Sequence, residues 1–299
     1  MKIIISGATG LVGNALAHAL RDEGHSVARL VRAGNAEAGD IRWDPDAAKV
    51  DLAALEGADT CVNLNGASIG DGRWTPERKS LLRSSRLNTT RFLVNAFSRL
   101  TEKPRAFLSA SAIGFYGSCG DEILTETSAS GTDFLSELSR EWEREAQRAE
   151  SFGIRTAVLR FGVILSTRGG ALPRMLTPFK LGVGGRLGDG KQWISWIALD
   201  DVVGVIRWAL ADSHATGPVN VVAPSPVRNA EFTRVLAKAL GRPAVFPAPA
   251  FALRLLLGEM ADALLLGSQR VRPEKLLALG YPFRFDKLEP ALRSALADP

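Results

Sequence analysis

Short apolar or β-branched runs recur at Lys2–Ser6, Ser26–Arg32, Thr60–Asn65, Arg105–Ser111 and Arg155–Arg160. Runs without a polar alternation fit strands covered on both faces, and such strands are parallel ones joined by crossover helices. Segments of helical length separate most of the runs, so the pattern predicts a parallel sheet alternating with helices. Thr75 ahead of Pro76 marks the start of one helix, which the spacing carries to about Leu100. A second helix is predicted from about Asp133 to Phe152.

Beyond Arg160 the pattern loosens into Gly- and Pro-punctuated stretches, STRGGALPRM and KLGVGGRLGDGKQW, with Leu, Val and Trp threaded through them. They read as loops over a ligand. A helix over about Asp200–Ala211, a strand near Val219–Val222 and a helix over Asn229–Leu240 follow. The remainder reads as mostly helical, its last helix opened by Asp286 with Glu289 three residues on, the spacing of a capping box. The organisation predicted is α/β: a doubly wound parallel sheet over residues 1–165, with 199–225 contributing, and a smaller, mostly helical C-terminal unit over 166–299.

Composition changes this picture little but narrows the function. A chain of 299 residues with 46% hydrophobic and 23% charged positions is that of an ordinary globular protein of about two structural units. Cys61 and Cys119 lack metal-type spacing and are too few for a disulfide framework, which predicts a reducing, cytoplasmic setting and no metal site. The net charge of +5 is scattered and forms no basic block, so nucleic acid is not an expected partner. Ser6, Gly7, Thr9 and Gly10 interrupt the apolar start and argue against a secretion signal; Arg254, Glu259 and Asp262 argue against a membrane span in FALRLLLGEMADALLL.

The chemistry begins directly after the first run, at Gly7-Ala8-Thr9-Gly10-Leu11-Val12-Gly13, which leads into the helical sequence NALAHALRDEG. Glycines at this spacing permit a tight turn, let the backbone approach a pyrophosphate and bring helix close to strand. The helix start offers unpaired N–H groups and the positive end of its dipole to phosphates. At the end of the second run stands Val31-Arg32, where NAD-selective proteins place an acid for the ribose 2′-hydroxyl. A guanidinium there suits a 2′-phosphate, so the cofactor predicted is NADP(H); the alternative for Arg32 is an ordinary surface residue.

Together these residues resemble the extended short-chain dehydrogenase/reductase superfamily, which includes the sugar-nucleotide epimerases. Asn63-Leu64-Asn65-Gly66-Ala67, Ser85-Arg86 with Thr90, Ser109-Ala110-Ser111 followed by Phe115-Tyr116-Gly117, and Leu159-Arg160-Phe161-Gly162-Val163 resemble its landmarks in order. SRLNTTRFLV, GVILSTRGGALPRM, KLGVGGRLGDGKQWISWIALDDV, APSPVRNAEFTRVLAKALGRP and GEMADALLLGSQRVRPEKLLALGY are similar to an atypical group, the epimerase family, with its own C-terminal domain. The resemblance implies a Rossmann-like NADP(H) domain, a substrate-side C-terminal domain and, as in many members, a homodimer. It implies that Gly7, Thr9, Gly10, Leu11, Val12 and Gly13 hold the pyrophosphate and that Val31 and Arg32 meet the adenosine end. Leu64, Asn65 and Gly66 would line the cofactor, Arg86 would reach it where standard members often have Asn, and Gly162 and Val163 would meet the nicotinamide.

Standard members use a Tyr-x-x-x-Lys pair whose lysine lowers the tyrosine's pKa. This chain has two tyrosines, Tyr116 and Tyr281, followed four residues on by Gly120 and Phe285, and no lysine lies between Lys103 and Lys180. The expected helix reads DFLSELSREWE, with Phe134 near the tyrosine's place. Two readings follow. The protein is an NADP(H) oxidoreductase or epimerase with Tyr116 as acid/base, assisted by Ser111 and by Asp200 or Asp201, or it binds NADP(H) as a non-catalytic sensor or partner-binding protein. The alternatives for these residues are structural: Tyr116 as a packed aromatic, Ser111 as a strand-end cap, Asp200 and Asp201 as helix caps. Arg174, Lys191, Gln192, Trp193, Trp196 and Arg228 are the expected pocket wall, of a kind that suits an anionic or carbohydrate-like small molecule.

Overall fold

The computed structural model describes residues 1–32 and 39–297. One eight-stranded sheet is built from β1 (Lys2–Ser6), β2 (Ser26–Val31), β3 (Ile41–Asp44), β4 (Lys49–Val50), β5 (Thr60–Asn63), β6 (Ala106–Ala112), β7 (Arg155–Phe161) and β8 (Gly217–Val221). Their order is β8-β7-β6-β5-β1-β2-β3-β4, and every neighbouring pair is parallel except β3 with β4. Strands on either side of β1 are thus reached by crossovers that wind in opposite directions, the Rossmann arrangement. The edge strands β3 and β4 have no counterpart in the sequence pattern. β3 has only four residues, alternately buried and exposed, because the sheet edge covers one of its faces.

The main helices are α1 (Leu11–Asp22), α2 (Pro76–Ser98), α3 (Phe134–Gln147), α4 (Leu172–Lys180), α5 (Leu199–Ala211), α6 (Asn229–Leu240), α7 (Ala250–Leu257) and α8 (Leu288–Ala297). α2 begins where Thr75 Oγ1 accepts the Arg78 N–H at 3.2 Å, and α3 where Asp133 accepts that of Ser136 at 2.8 Å. α3 ends at Gln147 and tightens into a 3₁₀ turn, Arg148–Phe152, closed by Gly153 at φ 76°. α8 starts one residue later than the capping-box spacing predicts: the Glu289 carboxylate faces Lys238 and Arg293, so the box is not formed.

α1 buries Leu16, Ala17 and Leu20 against one face of the sheet together with Val202, Val205 and Ile206 of α5. On the other face Leu93, Val94 and Phe97 of α2 pack with Phe107, Ala146 and Ile154. A third core joins Phe179, Trp196, Phe232, Leu236 and Leu292 beyond the carboxyl ends of the strands. Asp201, buried at the start of α5, anchors the C-terminal segment by accepting the N–H groups of Arg284 and Phe285 at 2.8 and 3.0 Å. A short strand, Arg270–Val271, pairs with Ile123–Leu124 and ties the same segment to the β6–α3 connection. Among the described residues no helix is long and apolar enough to cross a membrane.

Candidate functional site

The carboxyl ends of β1 and β5 diverge at the point where the winding reverses, and a crevice opens there. Gly7 sits at φ 72°, and a Cβ on it would lie 2.6 Å from the Leu64 carbonyl carbon. A Cβ on Gly13 would lie 2.3 Å from the Gly7 oxygen, so strand and helix meet at a distance only glycine allows. Gly10, the N-cap of α1, donates its N–H to Gly7 O at 3.1 Å. The first N–H groups of α1 then point into the crevice with the positive end of the helix dipole.

Beneath the crevice lies a buried polar network. Ser6 Oγ donates to Asn63 Oδ1 at 2.8 Å, and Asn63 Nδ2 donates to Thr90 Oγ1 at 2.8 Å. Asn65 Nδ2 donates to the same Asn63 oxygen at 3.0 Å, while Trp142 Nε1 donates to Thr90 at 2.9 Å. Four elements are thereby locked around Asn65, whose side chain stands at the crevice wall.

The crevice continues into a cleft of about 1080 Å³ that runs along Gly10–Gly13, Leu64–Gly66, Arg86, the end of β6 at Ser111 and the end of β7 at Gly162 and Val163. A second cavity of about 170 Å³ shares Gly7 and Asn65 with it and is walled by Thr9, Leu30, Val31, Arg32, Trp43, Pro45 and Thr89. Every residue expected to hold a dinucleotide therefore lines one of two adjoining cavities. Trp43 and Pro45 carry no sequence signal of their own, since they lie on and beside the edge strand that the hydrophobic pattern does not reveal. Arg32 is exposed and pairs with Asp46 at 3.0 Å beside the smaller cavity.

Arg86 is partly buried and, among the described residues, pairs with no carboxylate. Its guanidinium donates to the carbonyls of Leu82 at 3.1 Å and Ala67 at 3.0 Å and lies 5.3 Å from the Trp142 ring. Burial, with the Arg78 charge adding to it, lowers its pKa to about 10, so it is still a cation at neutral pH.

α3 turns Leu135, Leu138, Ser139 and Trp142 toward the cleft. Phe134, expected near the place of a catalytic tyrosine, points elsewhere: its ring packs on Trp74 at 5.4 Å with the Lys79 ammonium 4.9 Å away. The pairs spaced four apart on the cleft face are Leu135 with Ser139 and Leu138 with Trp142, none of them ionisable near neutral pH.

Ser111 lines the cleft, and its Oγ donates to Glu143 Oε1 at 2.6 Å. Glu143, buried on α3, is gripped from β7 by Arg160, whose Nε and Nη2 each donate to it at 2.7 Å. Arg160 Nη1 donates to Tyr116 Oη at 2.9 Å, and that phenol donates to Asn220 Oδ1 at 2.7 Å. Tyr116 is 1% exposed and does not line the cleft. Burial pushes its phenol above the usual range despite the Arg160 charge. The acid/base role expected for Tyr116 is corrected accordingly: its proton is committed inside the core, behind Ser111.

Asp200 and Asp201 are likewise outside the cleft wall. Asp200 pairs with Arg284 at 2.6 Å and Asp201 holds the C-terminal segment, so both carboxylates are engaged away from the cleft, and α5 starts without a side-chain cap. Of the expected pocket wall, Arg174 and Trp193 line the cleft. Arg174 is held by Asp71 and the Gly70 carbonyl. Trp196 is core, with Nε1 on Ser225 O at 3.0 Å, and Gln192 donates to the carbonyls of Leu187 and Leu265. Lys191 and Arg228 do not line the cleft; Arg228 pairs with Asp121 at 2.7 Å and stacks 4.2 Å from the Trp193 ring. Among the described residues, Arg86 and Arg174 are the only ionisable side chains on the main cleft's wall.

Comparison with known proteins agrees with this architecture. The model of the NAD dependent epimerase/dehydratase family matches residues 3–222, and that of a domain of unknown function, DUF1731, matches residues 248–295. The chain is 40% identical over 305 residues to the epimerase family protein YfhF of Bacillus subtilis, covering 100% of this chain and 99% of that one. It is 39% identical over 297 residues to Mb2239 of Mycobacterium bovis, covering 99% and 98%. The crystal structure of human epimerase family protein SDR39U1 with NADPH superposes with a TM-score of 0.92 at 35% identity, over 100% of both chains. The glycine turn at a reversal of strand order and the full-length match to these relatives lead to one assignment: the chain belongs to the NAD dependent epimerase/dehydratase family.

Proposed function

We propose that the protein is an NADP(H)-dependent oxidoreductase of the extended short-chain type, acting on a small molecule held in the cleft over Ser111. The observation that carries this reading is the convergence of Gly7–Gly13, Leu64–Gly66, Arg86 and Gly162–Val163 on one crevice at the winding reversal, with Arg32 at its adenosine end. The NADPH in the human relative supports the choice of the phosphorylated cofactor. When bound, the cofactor supplies the hydride, and the protein's task is to place a substrate carbon against it. The N–H groups at the start of α1 hold the diphosphate, Asn65 and Arg86 fix the middle of the cofactor, and Gly162 and Val163 line its nicotinamide end. Ser111 donates its hydroxyl hydrogen bond to Glu143, so it faces the cleft as a hydrogen-bond acceptor that can orient a substrate hydroxyl.

The reading predicts that calorimetry gives a lower Kd for NADPH than for NADH. Arg32→Ala should raise the NADPH Kd about 10- to 100-fold, the worth of hydrogen bonds to a charged group, and leave the NADH Kd unchanged. Equal affinities in the wild type would remove the case for a 2′-phosphate.

One observation favours a second reading, binding without turnover: no group that titrates near neutral pH faces the cleft among the described residues. Following nicotinamide absorbance over a panel of carbonyl metabolites and nucleotide sugars separates the two. Turnover with any of them supports the enzyme, and tight NADPH binding with none supports the sensor.

A further inference from the structure

The cleft of about 1080 Å³ runs on past the residues assigned to the cofactor, whose adenosine end lies in the separate smaller cavity. The space beyond Ser111 is enclosed by the C-terminal half of the chain. We propose that this space is a chamber for a lipophilic molecule, such as a long-chain ketone, with its oxygen toward the nicotinamide end of the cleft at Gly162 and Val163. The proposal rests on the oxidoreductase reading for the placing of that oxygen, and it replaces the anionic or carbohydrate-like ligand that the sequence favours.

The walls argue for it first. Phe179 of α4, Phe232 and Leu236 of α6 and Met260 are all nearly inaccessible from outside yet line the cleft. Several polar atoms among them are already engaged. Asn229 Oδ1 accepts the Leu187 N–H at 2.8 Å, and Gln269 Nε2 donates to the carbonyls of Ile113 and Gly117 at 3.0 Å. Ser195 Oγ donates to Gln269 O at 2.8 Å and accepts the Val271 N–H at 2.9 Å. Among the described residues, Thr233 and Ser139 add hydroxyls to this wall, too few for the many hydroxyls of a sugar, which would lose their water without replacement.

The charges agree. A nucleotide sugar brings a second diphosphate, yet the wall's two cations are Arg86, set against Gly66 on the cofactor side, and Arg174, already paired with Asp71.

The rim agrees as well. α7, with sequence AFALRLLL, has no buried residue. Its Leu256, 70% exposed, lines the cleft together with Phe246 and Val183, while Leu181, Phe251 and Leu255 stand exposed beside it. An apolar lining that reaches from a buried floor to the mouth is what a lipophilic ligand requires, and patches of this kind are seldom left on a protein surface without a use.

The test uses the full chain, with and without saturating NADPH, and a series of methyl ketones from hexan-2-one to dodecan-2-one, with UDP-glucose as the polar comparator. Calorimetry should show Kd falling two- to fourfold for each added methylene until the chamber is filled, and no heat with UDP-glucose. Leu256→Lys and Phe246→Lys, both at exposed positions that the fold does not depend on, should raise the dodecan-2-one Kd at least tenfold while the NADPH Kd stays within twofold. Kd values independent of chain length, or binding of UDP-glucose in competition with the ketones, would overturn the chamber. So would a dimer in sedimentation that Leu256→Lys dissociates while the ketones show no length dependence, because the lip would then belong to a second copy. NADPH titrated alone reports on the other reading: ketone binding without NADPH binding keeps the chamber and removes the oxidoreductase, and the reverse removes the chamber alone.

Discussion

Replacing Arg160 with methionine is expected to lower the free energy of unfolding by about 3–5 kcal/mol, the cost of breaking a buried ion pair by removing one partner. Arg160 is 3% and Glu143 5% exposed, and their bidentate contact is the hub from which Ser111 and Tyr116 are held. Without the guanidinium, the Glu143 carboxylate stays buried with a single hydroxyl donor, and Tyr116 loses one of its two partners. Urea unfolding should show a lower midpoint at an unchanged slope. The double replacement Arg160→Met with Glu143→Leu should recover at least half of the loss, because the uncompensated charge is then gone. A single replacement that costs under about 1 kcal/mol would show that the pair does not organise this core. Tyr116→Phe, by comparison, leaves only the Asn220 oxygen and one Arg160 N–H unpaired. It should cost about 1–3 kcal/mol and leave NADPH affinity unchanged, since the phenol lies behind the cleft wall.

Gly7→Val should abolish NADPH binding, raising Kd more than 100-fold while the sheet still forms. The turn holds Gly7 at φ 72°, a region closed to β-branched residues, and its new Cβ would sit 2.6 Å from the Leu64 carbonyl carbon and 3.0 Å from the Asn65 nitrogen. The backbone must shift to relieve that contact, and the shift moves the N–H groups of α1 away from the diphosphate and disturbs Asn65 on the facing wall. Circular dichroism and urea unfolding check that the variant is folded before calorimetry is read. A Kd within threefold of the wild type would mean that the diphosphate is not held at this turn.

How much of this was legible without coordinates differs from residue to residue. The strand, glycine turn and start of α1 are read within the first thirteen positions, because the signal is local: an apolar run, glycines at fixed spacing, then an amphipathic helix. Thr75 and Asp133 were readable for the same reason, as each caps the turn that directly follows it. The absence of Tyr-x-x-x-Lys was equally plain from residue types. The placement of the remaining groups was not, because it depends on partners far along the chain. Tyr116 turns inward to meet Asn220, 104 positions away, and Ser111 is tied to Glu143 across 32. Asp201 resembled a cap by its place before a helix, yet its carboxylate is taken by backbone from residues 284 and 285. The edge strand β3, which brings Trp43 to the smaller cavity, is too short for its alternation to stand out from a charged loop.

The position of β8 has a consequence for biosynthesis. The chain leaves the sheet after β7, builds α4 and the cleft loops, and returns to seat Gly217–Val221 alongside β7. During translation the outer edge of β7 therefore has no neighbour until Val221 has cleared the ribosome exit tunnel. Through that interval the nascent chain carries an open, apolar strand edge, the stage at which a chaperone would have most to protect.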